Sequence, residues 1–585
     1  MNSALYYKMY VNSISKEIFM RKHNLSRNII ALLVAVLIVV PVLAVTAAAE
    51  ADTPAKGTDY STVFIHGLFG WGEEDDLNKI LPYWGLSSGD FYGYMKNKGY
   101  DVYAASVGPL SSAHDRCCEL FASLTGTKVD YGQAHADKMT AEFAASGSAL
   151  THGRYGRDYT GNAKINSWGP IFDENGKVEG WYDSKINLVG HSFGGPTAVE
   201  FVNLLANGDA DEIAWGKEQA EEFGGDWHDY ISPLFWGDYD GEYLVNSITS
   251  IAGVLNGTTF ITANDDLMGL ARPLVTLAAS LTGDTVINKL YDFQLEQFGI
   301  TCVPGDTIEE KVALLTSLGF ADGTDNAFYD LTTEGTNALK TGWATFDNIY
   351  YFSYSCDKSY KAGGADMPDP DMMIALIPFS MIMGSYHSAS ELVYNVDGSL
   401  YSAIDDAWQM NDGMVNTISS RYPFGTPHKE YNVNSIESGV WNVHPDIDED
   451  HFGVIGGFFS PKPVKTKALY DTIMSDIEKT VPVFDENRVN VGTQENKLKT
   501  PEITSAHRTL LKNVALGWKS VGLCRYDIYR ASEKDGDYVR IDTTLLTSYT
   551  DFSAKSGKTY YYKIVAVPLY KNASSSEFSS PVGVK

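Results

Sequence analysis

Residues 185–208, KINLVGHSFGGPTAVEFVNLLANG, predict a buried strand, a tight turn and a helix in direct succession. The run KINLVG is short and apolar, as in a strand that lies inside a sheet. After the turn, apolar residues recur at helical spacing until Asn-Gly ends the helix: Val199, Val202 and Leu205, with Ala198 and Phe201 beside them. Ser192 stands in the turn, within a G-x-S-x-G pattern.

The same pattern occurs a second time, in GLSSG at residues 85–89, so the pentapeptide alone does not choose a serine. A serine that attacks an acyl group works best on a strand-to-helix turn, where its hydroxyl projects from the sheet. Ser87 follows Pro and Trp and precedes a loop-like Ser-Gly-Asp. We therefore predict that Ser192 is the nucleophile and that Ser87 is not.

The chain between YSTVFIHG and about residue 490 alternates β-branched strands with helical stretches. This alternation predicts an α/β fold with a mostly parallel sheet covered on both faces. Residues 484–500 are polar and lack an apolar period, which indicates a linker. The predicted catalytic domain therefore spans residues 58–490.

Residues 501–585 differ in texture: short alternating segments such as RYDIYRA and TYYYKIVAV are separated by Gly, Asp and Ser turns. This pattern predicts an all-β, immunoglobulin-like sandwich. With Trp518 and the tyrosine-rich penultimate strand, the segment resembles a fibronectin type III domain. The resemblance implies a fold and leaves the ligand open, although such a tail is consistent with holding an enzyme to a surface or polymer.

Residues 20–49 combine a basic head, a continuous apolar run and an exit of small residues. This composition predicts a secretory signal peptide within residues 1–49, with initiation at Met9 or Met20 giving the usual length. A retained membrane anchor is the alternative, and Pro41 with the Ala-rich exit favours cleavage. We therefore expect a secreted protein, free or associated with the cell surface.

The net charge excludes a nucleic acid as a partner, and the cysteine content excludes a disulfide framework. The formal net charge is -29, from 74 acidic and 45 basic residues, so a nucleic acid would be repelled. Five scattered cysteines, an odd number, do not form a disulfide framework, and we predict no disulfide.

The partners of a nucleophilic serine follow it in the order acid and then histidine. The residues themselves leave the choice open. The candidate acids are Asp405, Asp406 and Asp412, and the candidate bases are His428, His444 and His451. His66 ends the first strand in FIHGLFGWG, where we expect a structural hydrogen bond, and the next loop is expected to place the Leu68 N–H beside Ser192.

Ordered sequence blocks run from about residue 60 to 470, among them FIHGLFGWG, HGRYGRDYTG, VGHSFGG, NGTTF, FYDLTTEGT, WQMNDGMVNT and GVWNVHPDIDEDHFGVIG. These blocks resemble those of the secreted staphylococcal and thermophilic-bacillus type lipases, which are zinc-containing α/β-hydrolases with a helical lid. The resemblance implies a triad of Ser192, Asp412 and His451. It also implies an oxyanion hole formed by the N–H groups of Leu68 and Phe193.

The same resemblance implies a structural zinc held by Asp115, His135, His152 and Asp330. Four protein ligands close a tetrahedral site and leave no position for an activated water. Between His135 and His152 stands MTAEFAASGSALT, an insertion longer than the family's connection. Cys117 and Cys118 adjoin Asp115 and are soft alternative ligands or small buried hydrophobes.

Two further expectations follow. Gly453 and Phe458 stand where calcium-binding members carry acidic side chains, so we predict that the family's calcium site is absent. Residues 257–283 occupy the lid region, with apolar residues on one helical stripe and a kink at Pro273: Leu267, Leu270, Leu274, Leu277 and Ala278. A core helix with the same stripe is the alternative.

The predicted function is a secreted carboxylic-ester hydrolase, a triacylglycerol lipase acting through an acyl-enzyme, with an ester or lipid, including an insoluble one, as substrate. One alternative is an esterase for short-chain esters or polyesters. An alternative of another class is a non-catalytic adhesion or scaffold protein on the same fold.

Overall fold

The computed structural model describes residues 60–79, 81–182, 184–263, 293–300, 308–457, 463–481, 500–509, 512–521, 524–534, 536, 538–544, 546–568, 570–571 and 576–585. The predicted signal peptide, most of the linker and residues 264–283 of the predicted lid lie outside these residues, as do Cys302 and Phe458.

The strands of the catalytic part are β1 (Ser61–Ile65), β2 (Val102–Ala105), β3 (Lys128–Asp130), β4 (Tyr155–Asp158), β5 (Pro170–Phe172), β6 (Val178–Tyr182), β7 (Ile186–His191), β8 (Val245–Ile251), β9 (Tyr350–Tyr354), β10 (Ser359–Ala362), β11 (Ala365–Pro368), β12 (Ser388–Tyr394), β13 (Leu400–Ile404), β14 (His428–Glu430) and β15 (Trp441–Val443). Those near the C-terminus are β16 (Ile503–Arg508), β17 (Val514–Trp518), β18 (Cys524–Ala531), β19 (Val539–Thr544), β20 (Ser548–Asp551), β21 (Tyr560–Pro568), β22 (Tyr570–Lys571) and β23 (Val582–Val584).

The helices are α1 (Phe91–Asn97), α2 (Ala113–Thr125), α3 (Gln133–Ser146), α4 (Gly194–Asn207), α5 (Ala210–Phe223), α6 (Thr259–Thr262), α7 (Ile308–Ser317), α8 (Ala327–Asp330), α9 (Thr333–Lys340), α10 (Ile377–Met383), α11 (Thr417–Arg421) and α12 (Pro463–Glu478). Short 3-10 turns lie between them, including Leu86–Ser88, which carries the rejected serine, and Gly453–Ile455.

The central sheet has the strand order β14-β15-β9-β8-β7-β1-β2, and each adjacent pair is parallel. The predicted parallel α/β sheet is confirmed. Its two faces are both covered: Val63 and Ile65 pack into one buried apolar cluster and Phe64 packs into the other. Alternate residues of one strand point to opposite faces, so both faces carry core.

The strand order places a crevice at the carboxyl ends of β1 and β7. From β1 the chain passes to β2 on one side, whereas β7 and β8 extend the sheet on the other side. Ligands of open parallel sheets bind where the direction of winding changes in this way. Ser192 follows β7 directly and His66 follows β1, so both predicted loops open at this point.

The C-terminal strands form two antiparallel sheets, β16-β17-β20 and β19-β18-β21-β23. Their shared apolar cluster includes Trp518, Tyr526, Ile528, Tyr562 and Ile564. Two all-β sheets around one core agree with the predicted sandwich. The short strand β22 pairs with β6 of the catalytic part, so the two parts share a small sheet.

Within the described residues, no helix has the length and apolarity that a bilayer crossing requires. The cysteines described there, Cys117, Cys118, Cys356 and Cys524, are buried and form no disulfide with one another.

Candidate functional site

Ser192 occupies a strained turn between β7 and α4. Its φ is +56°, in the left-handed region that side chains other than glycine rarely adopt. A Cβ on Gly190 would lie 2.1 Å from the Gly194 oxygen, and a Cβ on Gly194 would lie 2.1 Å from the Ile65 oxygen. The two glycines of the motif are therefore required by close backbone approach, and the turn presents Ser192 at the sheet edge.

Three side chains that are distant in sequence form one hydrogen-bonded chain. Ser192 Oγ lies 3.0 Å from His451 Nε2, and His451 Nδ1 lies 2.8 Å from Asp412 Oδ2. All three residues are buried. The backbone N–H of His451 also donates to the Asp412 carbonyl at 3.0 Å, which holds the two loops together.

The remaining oxygen of Asp412 is also satisfied. Its Oδ1 accepts from the N–H groups of Met414 at 2.9 Å and Val415 at 2.7 Å. The carboxylate is thus fixed as an acceptor, so His451 Nδ1 must carry a proton to donate to it. His451 Nε2 is then left to accept from the Ser192 hydroxyl, which is the protonation state a general base requires.

The other candidate acids and bases lie elsewhere. Asp405 caps a 3-10 turn through the Ala407 N–H, and Asp406 pairs with His387 at the surface. His428 is exposed and bonds the Thr426 carbonyl. His444 is buried beneath the stacked rings of Tyr354 and Tyr431 and lies 3.0 Å from Asp476, so it is part of another contact.

His66 makes contacts that agree with the expected structural role. Its Nδ1 lies 2.9 Å from the Gly67 carbonyl, and its Nε2 accepts from the Val107 N–H at 3.4 Å. Burial and the nearby Arg116 charge lower its pKa to about 3. The neutral imidazole of His66 makes two hydrogen bonds that hold the loop after β1. It takes no part in the hydrogen bonds of Ser192.

The loop after β1 passes directly beside the Ser192 hydroxyl. A Cβ on Gly67 would lie 2.6 Å from Ser192 Cβ and 3.1 Å from its Oγ. The peptide that leads to Leu68 is therefore next to Ser192. Phe193 follows the nucleophile at the start of α4, where backbone N–H groups lack helical partners.

A second cluster brings together Asp115, His135, His152 and Asp325, whose ligand atoms all lie within 4.8 Å of one another. His152 Nε2 lies 3.1 Å from Asp115 and 3.3 Å from Asp325, while His135 Nε2 lies 3.4 Å and 3.5 Å from the same carboxylates. A tetrahedron with metal–ligand distances of about 2.0–2.1 Å has edges of about 3.3 Å. These separations are close to such edges, and the four residues could hold one metal ion.

Two further properties of this cluster call for a cation. Asp115 Oδ1, His135 Nε2 and Asp325 Oδ2 are buried and lack a hydrogen-bond partner. Burial disfavours the charged imidazole of His135, yet the carboxylates of Asp325 and Asp115 outweigh burial and raise its pKa to about 10. Unpaired buried polar atoms are costly, and a bound metal ion would pair all of them.

One predicted ligand lies elsewhere in the structure: Asp325 joins this cluster of residues that could hold a metal ion, and Asp330 lies outside it. Asp330 Oδ2 instead accepts from the Ala113 N–H at 2.7 Å, and burial raises the pKa of this carboxyl to about 8. The segment TDNAFYD holds two aspartates five residues apart. Asn326 caps α8 between them, which turns Asp325 toward the histidines and Asp330 toward α2.

The insertion between the two histidine ligands does not separate them. It extends α3 outward to Ser146, and the chain then returns so that the rings of His135 and His152 lie 5.0 Å apart. Cys117 and Cys118 are buried on α2, where burial raises the pKa of both thiols, and neither belongs to the cluster. The predicted absence of calcium stays a prediction, since Phe458 lies outside the described residues.

Comparison with known proteins assigns the family. A family model described as "Lipase-like, C-terminal domain" matches residues 58–488. The chain belongs to this lipase-like family. Lipase 1 of Staphylococcus aureus is 31% identical to this lipase-like chain over 398 residues, which are 67% of this chain and 50% of that protein. The chain therefore spans about half the length of the curated relatives it matches, and the predicted resemblance to staphylococcal lipases is confirmed.

Solved structures agree with the lipase-like fold. EstA from Clostridium botulinum is 29% identical with a TM-score of 0.59, covering 74% of this chain and 90% of that one. Lipase 1 from Pelosinus fermentans is 32% identical with a TM-score of 0.55, covering 72% of this chain and 100% of that one. Staphylococcus hyicus lipase is 27% identical with a TM-score of 0.55, covering 74% and 99%. Together with the parallel sheet, these matches indicate an α/β-hydrolase-like fold.

Proposed function

We propose that this protein is a carboxylic-ester hydrolase of the lipase type, with Ser192 as nucleophile, His451 as general base and Asp412 as the carboxylate that orients His451. The observation that carries the proposal is the hydrogen-bonded chain from Ser192 Oγ to His451 Nε2 and from His451 Nδ1 to Asp412, with distances of 3.0 and 2.8 Å. The strained turn that presents Ser192 supports the same role.

In the acylation step, Ser192 Oγ attacks the ester carbonyl carbon while its proton passes to His451 Nε2. The carbonyl oxygen becomes an oxyanion that the N–H groups of Leu68 and Phe193 stabilise. When the tetrahedral intermediate collapses, the C–O bond to the alcohol breaks and His451 gives its proton to the leaving oxygen. Asp412 keeps the imidazole in the correct tautomer and stabilises its cation.

Deacylation repeats these steps with water. His451 accepts a proton from water as the water oxygen attacks the acyl carbon, and it then returns that proton to Ser192 as the acid leaves. The enzyme returns to its starting state, so the triad requires no further reactant.

We also propose that Asp115, His135, His152 and Asp325 hold a structural zinc ion. Two imidazoles and two carboxylates are a ligand set that zinc accepts, and four protein ligands leave no open position for catalysis. The metal would stabilise the contacts among α2, α3 and the segment before α8.

The substrate class is proposed as acylglycerol or a related lipid ester, which is consistent with the names of the curated relatives, "Lipase 1" and "Lipase". Short-chain esters or polyesters are the alternative, which the name EstA of one structural neighbour favours. The N-terminal segment and the fibronectin-like tail support a secreted enzyme that contacts a surface or polymer.

The test compares the hydrolysis of p-nitrophenyl butyrate and p-nitrophenyl palmitate by the wild type and Ser192→Ala. We expect both activities to disappear in the variant, and preference for the longer ester to mark a lipase. Equal turnover by the two proteins would overturn the hydrolase proposal. A wild type without activity on either ester would favour a non-catalytic scaffold.

A further inference from the structure

A second set of buried hydrogen bonds runs behind the proposed triad, through two residues that the reaction steps above do not use. Tyr83 Oη accepts from the Gly67 N–H at 2.9 Å and lies 2.8 Å from His191 Nδ1. His191 Nε2 in turn lies 3.0 Å from the backbone carbonyl of His451. Tyr83 and His191 are both buried.

The direction of each bond follows from its partners. A carbonyl only accepts, so His191 Nε2 carries the proton that bonds the His451 oxygen. Burial, with the nearby His451, lowers the pKa of His191 well below its usual value, so the ring is neutral and its Nδ1 is an acceptor. Tyr83 must therefore donate its hydroxyl proton to His191 Nδ1 while it accepts from Gly67.

This series of hydrogen bonds joins the three segments that meet at the proposed site. Gly67 leads to Leu68, the proposed oxyanion donor, and its backbone is packed against Ser192. His191 is the residue immediately before the nucleophile. His451 is the proposed base, and its carbonyl is held by the same imidazole. A change in any one bond would therefore alter the spacing among oxyanion donor, nucleophile and base.

The ring of Tyr83 packs against four other rings, so the contribution of its hydroxyl can be tested separately from that of the ring. Its ring lies 5.5 Å from Trp71, 5.3 Å from Trp84, 5.7 Å from His66 and 5.9 Å from His191. A phenylalanine at this position would keep these ring contacts. It would remove the acceptor for Gly67 and the donor for His191.

We propose that Tyr83 and His191 form a positioning couple that fixes the loop after β1 and the backbone of His451 relative to Ser192. The proposal deepens the proposed esterase function and rests on it. Neither residue touches the reacting atoms, so both would act through the groups that they hold in place. Misplacement of a donor by a fraction of an ångström weakens transition-state stabilisation more than substrate binding.

The main test is Tyr83→Phe, with Tyr92→Phe as the matched control. Tyr92 is also buried, and its hydroxyl bonds the Glu73 carboxylate and lies 2.9 Å from the Val102 carbonyl on β2. We expect Tyr83→Phe to lower kcat on p-nitrophenyl butyrate about 10-fold with KM changed less than twofold. Inhibition by a butyl boronic acid, which imitates the tetrahedral state, should weaken in parallel with kcat/KM. Tyr92→Phe should keep both values.

A merely structural role predicts a different result: the two variants would lose thermal stability to a similar extent and keep kcat. That outcome, or a Tyr83→Phe variant whose boronate affinity is unchanged, would overturn the proposal. If Ser192→Ala keeps activity, the proposed function itself fails. If Ser192→Ala is inactive while Tyr83→Phe behaves as the control, only the positioning couple fails.

A double-mutant cycle that combines Tyr83→Phe with His191→Phe tests whether the two residues act through the same series of hydrogen bonds. Each single variant should lower kcat, and the double variant should lose little more than the worse single one, because both break the same chain. Fully additive losses in kcat would contradict a shared role.

Discussion

Two buried clusters of histidine and aspartate within the described residues differ in one respect. In the Ser192, His451 and Asp412 cluster, each carboxylate and imidazole nitrogen has a partner within the protein. In the Asp115, His135, His152 and Asp325 cluster, several buried atoms have none, and both carboxylates face the same two rings.

The difference is that every polar atom of the first cluster has a hydrogen-bond partner in the protein, whereas several polar atoms of the second cluster lack one. The triad needs only the polypeptide to hold its protons in place, since hydrogen bonds fix the donor and acceptor at each position. The second cluster gathers negative charge and unpaired lone pairs, which a bound cation would pair. The predictions below test whether one cluster governs reaction rate and the other governs stability.

The largest expected effect comes from Asp412→Asn. The new amide would present an N–H or a weaker acceptor to His451 Nδ1 and disturb the required tautomer, so kcat should fall about 10⁴-fold. The melting temperature should change little, because the amide oxygen can still accept from Met414 and Val415. Steady-state kinetics and calorimetry check both. A variant with more than a tenth of the wild-type kcat would contradict this role.

Metal removal should do the reverse of Asp412→Asn: it should lower the melting temperature and leave kcat nearly unchanged. Chelation during dialysis should lower the melting temperature by roughly 5 °C, since a tightly bound ligand of the native state contributes about 4 kcal/mol and the unfolding entropy of a domain of this size is about 0.9 kcal/mol/K. The kcat measured at 25 °C on the still folded protein should stay within twofold of the starting value. Metal analysis should give one zinc per chain before treatment. A protein purified without metal, or a chelated one with unchanged melting, would break the comparison.

Asp325→Asn and Asp330→Asn form a matched pair for the corrected ligand. The first removes a carboxylate from the cluster and should weaken metal affinity at least about 100-fold. The second should keep the metal, because the asparagine oxygen can accept from Ala113 and the carboxyl it replaces, with a pKa of about 8, is largely protonated at pH 7. Competition with a coloured chelator measures both affinities. Equal losses would restore Asp330 as a ligand.

The smallest effect concerns a buried charge outside both clusters. Lys340 is fully buried on α9, and burial lowers its pKa to about 7. Its Nζ donates to Asn256 Oδ1, an oxygen that also accepts from the Phe424 N–H. Lys340→Met should therefore remove a desolvated charge without leaving that oxygen unpaired, and should stabilise the protein by about 2 kcal/mol at pH 6.

The sign of the pH dependence follows from the lowered pKa. Below pH 7 the lysine is charged in both folded and unfolded protein, so the cost of burying the charge is fully present. Between pH 7 and its ordinary pKa of 10.5 the unfolded chain binds the extra proton, and wild-type stability rises with pH. The advantage of Lys340→Met in urea unfolding should shrink over this range, and a constant advantage would contradict the assignment.

The sequence predicts the parallel sheet and the strand-to-helix turn at Ser192, because both depend on local patterns. A short apolar strand, the two glycines and a helical repeat suffice to locate Ser192 without any long-range information. The choice among Asp405, Asp406 and Asp412 depended on resemblance, since their roles are set by contacts with residues about 40 positions away.

Two features could not be predicted from the residues for physical reasons. Which aspartate joins the histidine cluster depends on contacts between segments: Asp325, before the Asn326 cap of α8, faces the histidines, whereas Asp330 accepts from the Ala113 N–H. The burial of His444 depends on the aromatic rings of Tyr354 and Tyr431 from two other segments. In both cases the deciding contact is tertiary, and no local pattern encodes it.

The extended helix between the two histidine ligands gives the molecule a tolerant place for engineering. Its far end is exposed at residues 144–147, and a Cβ on Gly147 would meet nothing within 4 Å. Because both ends of the excursion are pinned, a longer loop there costs little closure entropy. A peptide tag or a reporter module inserted at Gly147 should therefore leave hydrolysis and zinc content unaltered.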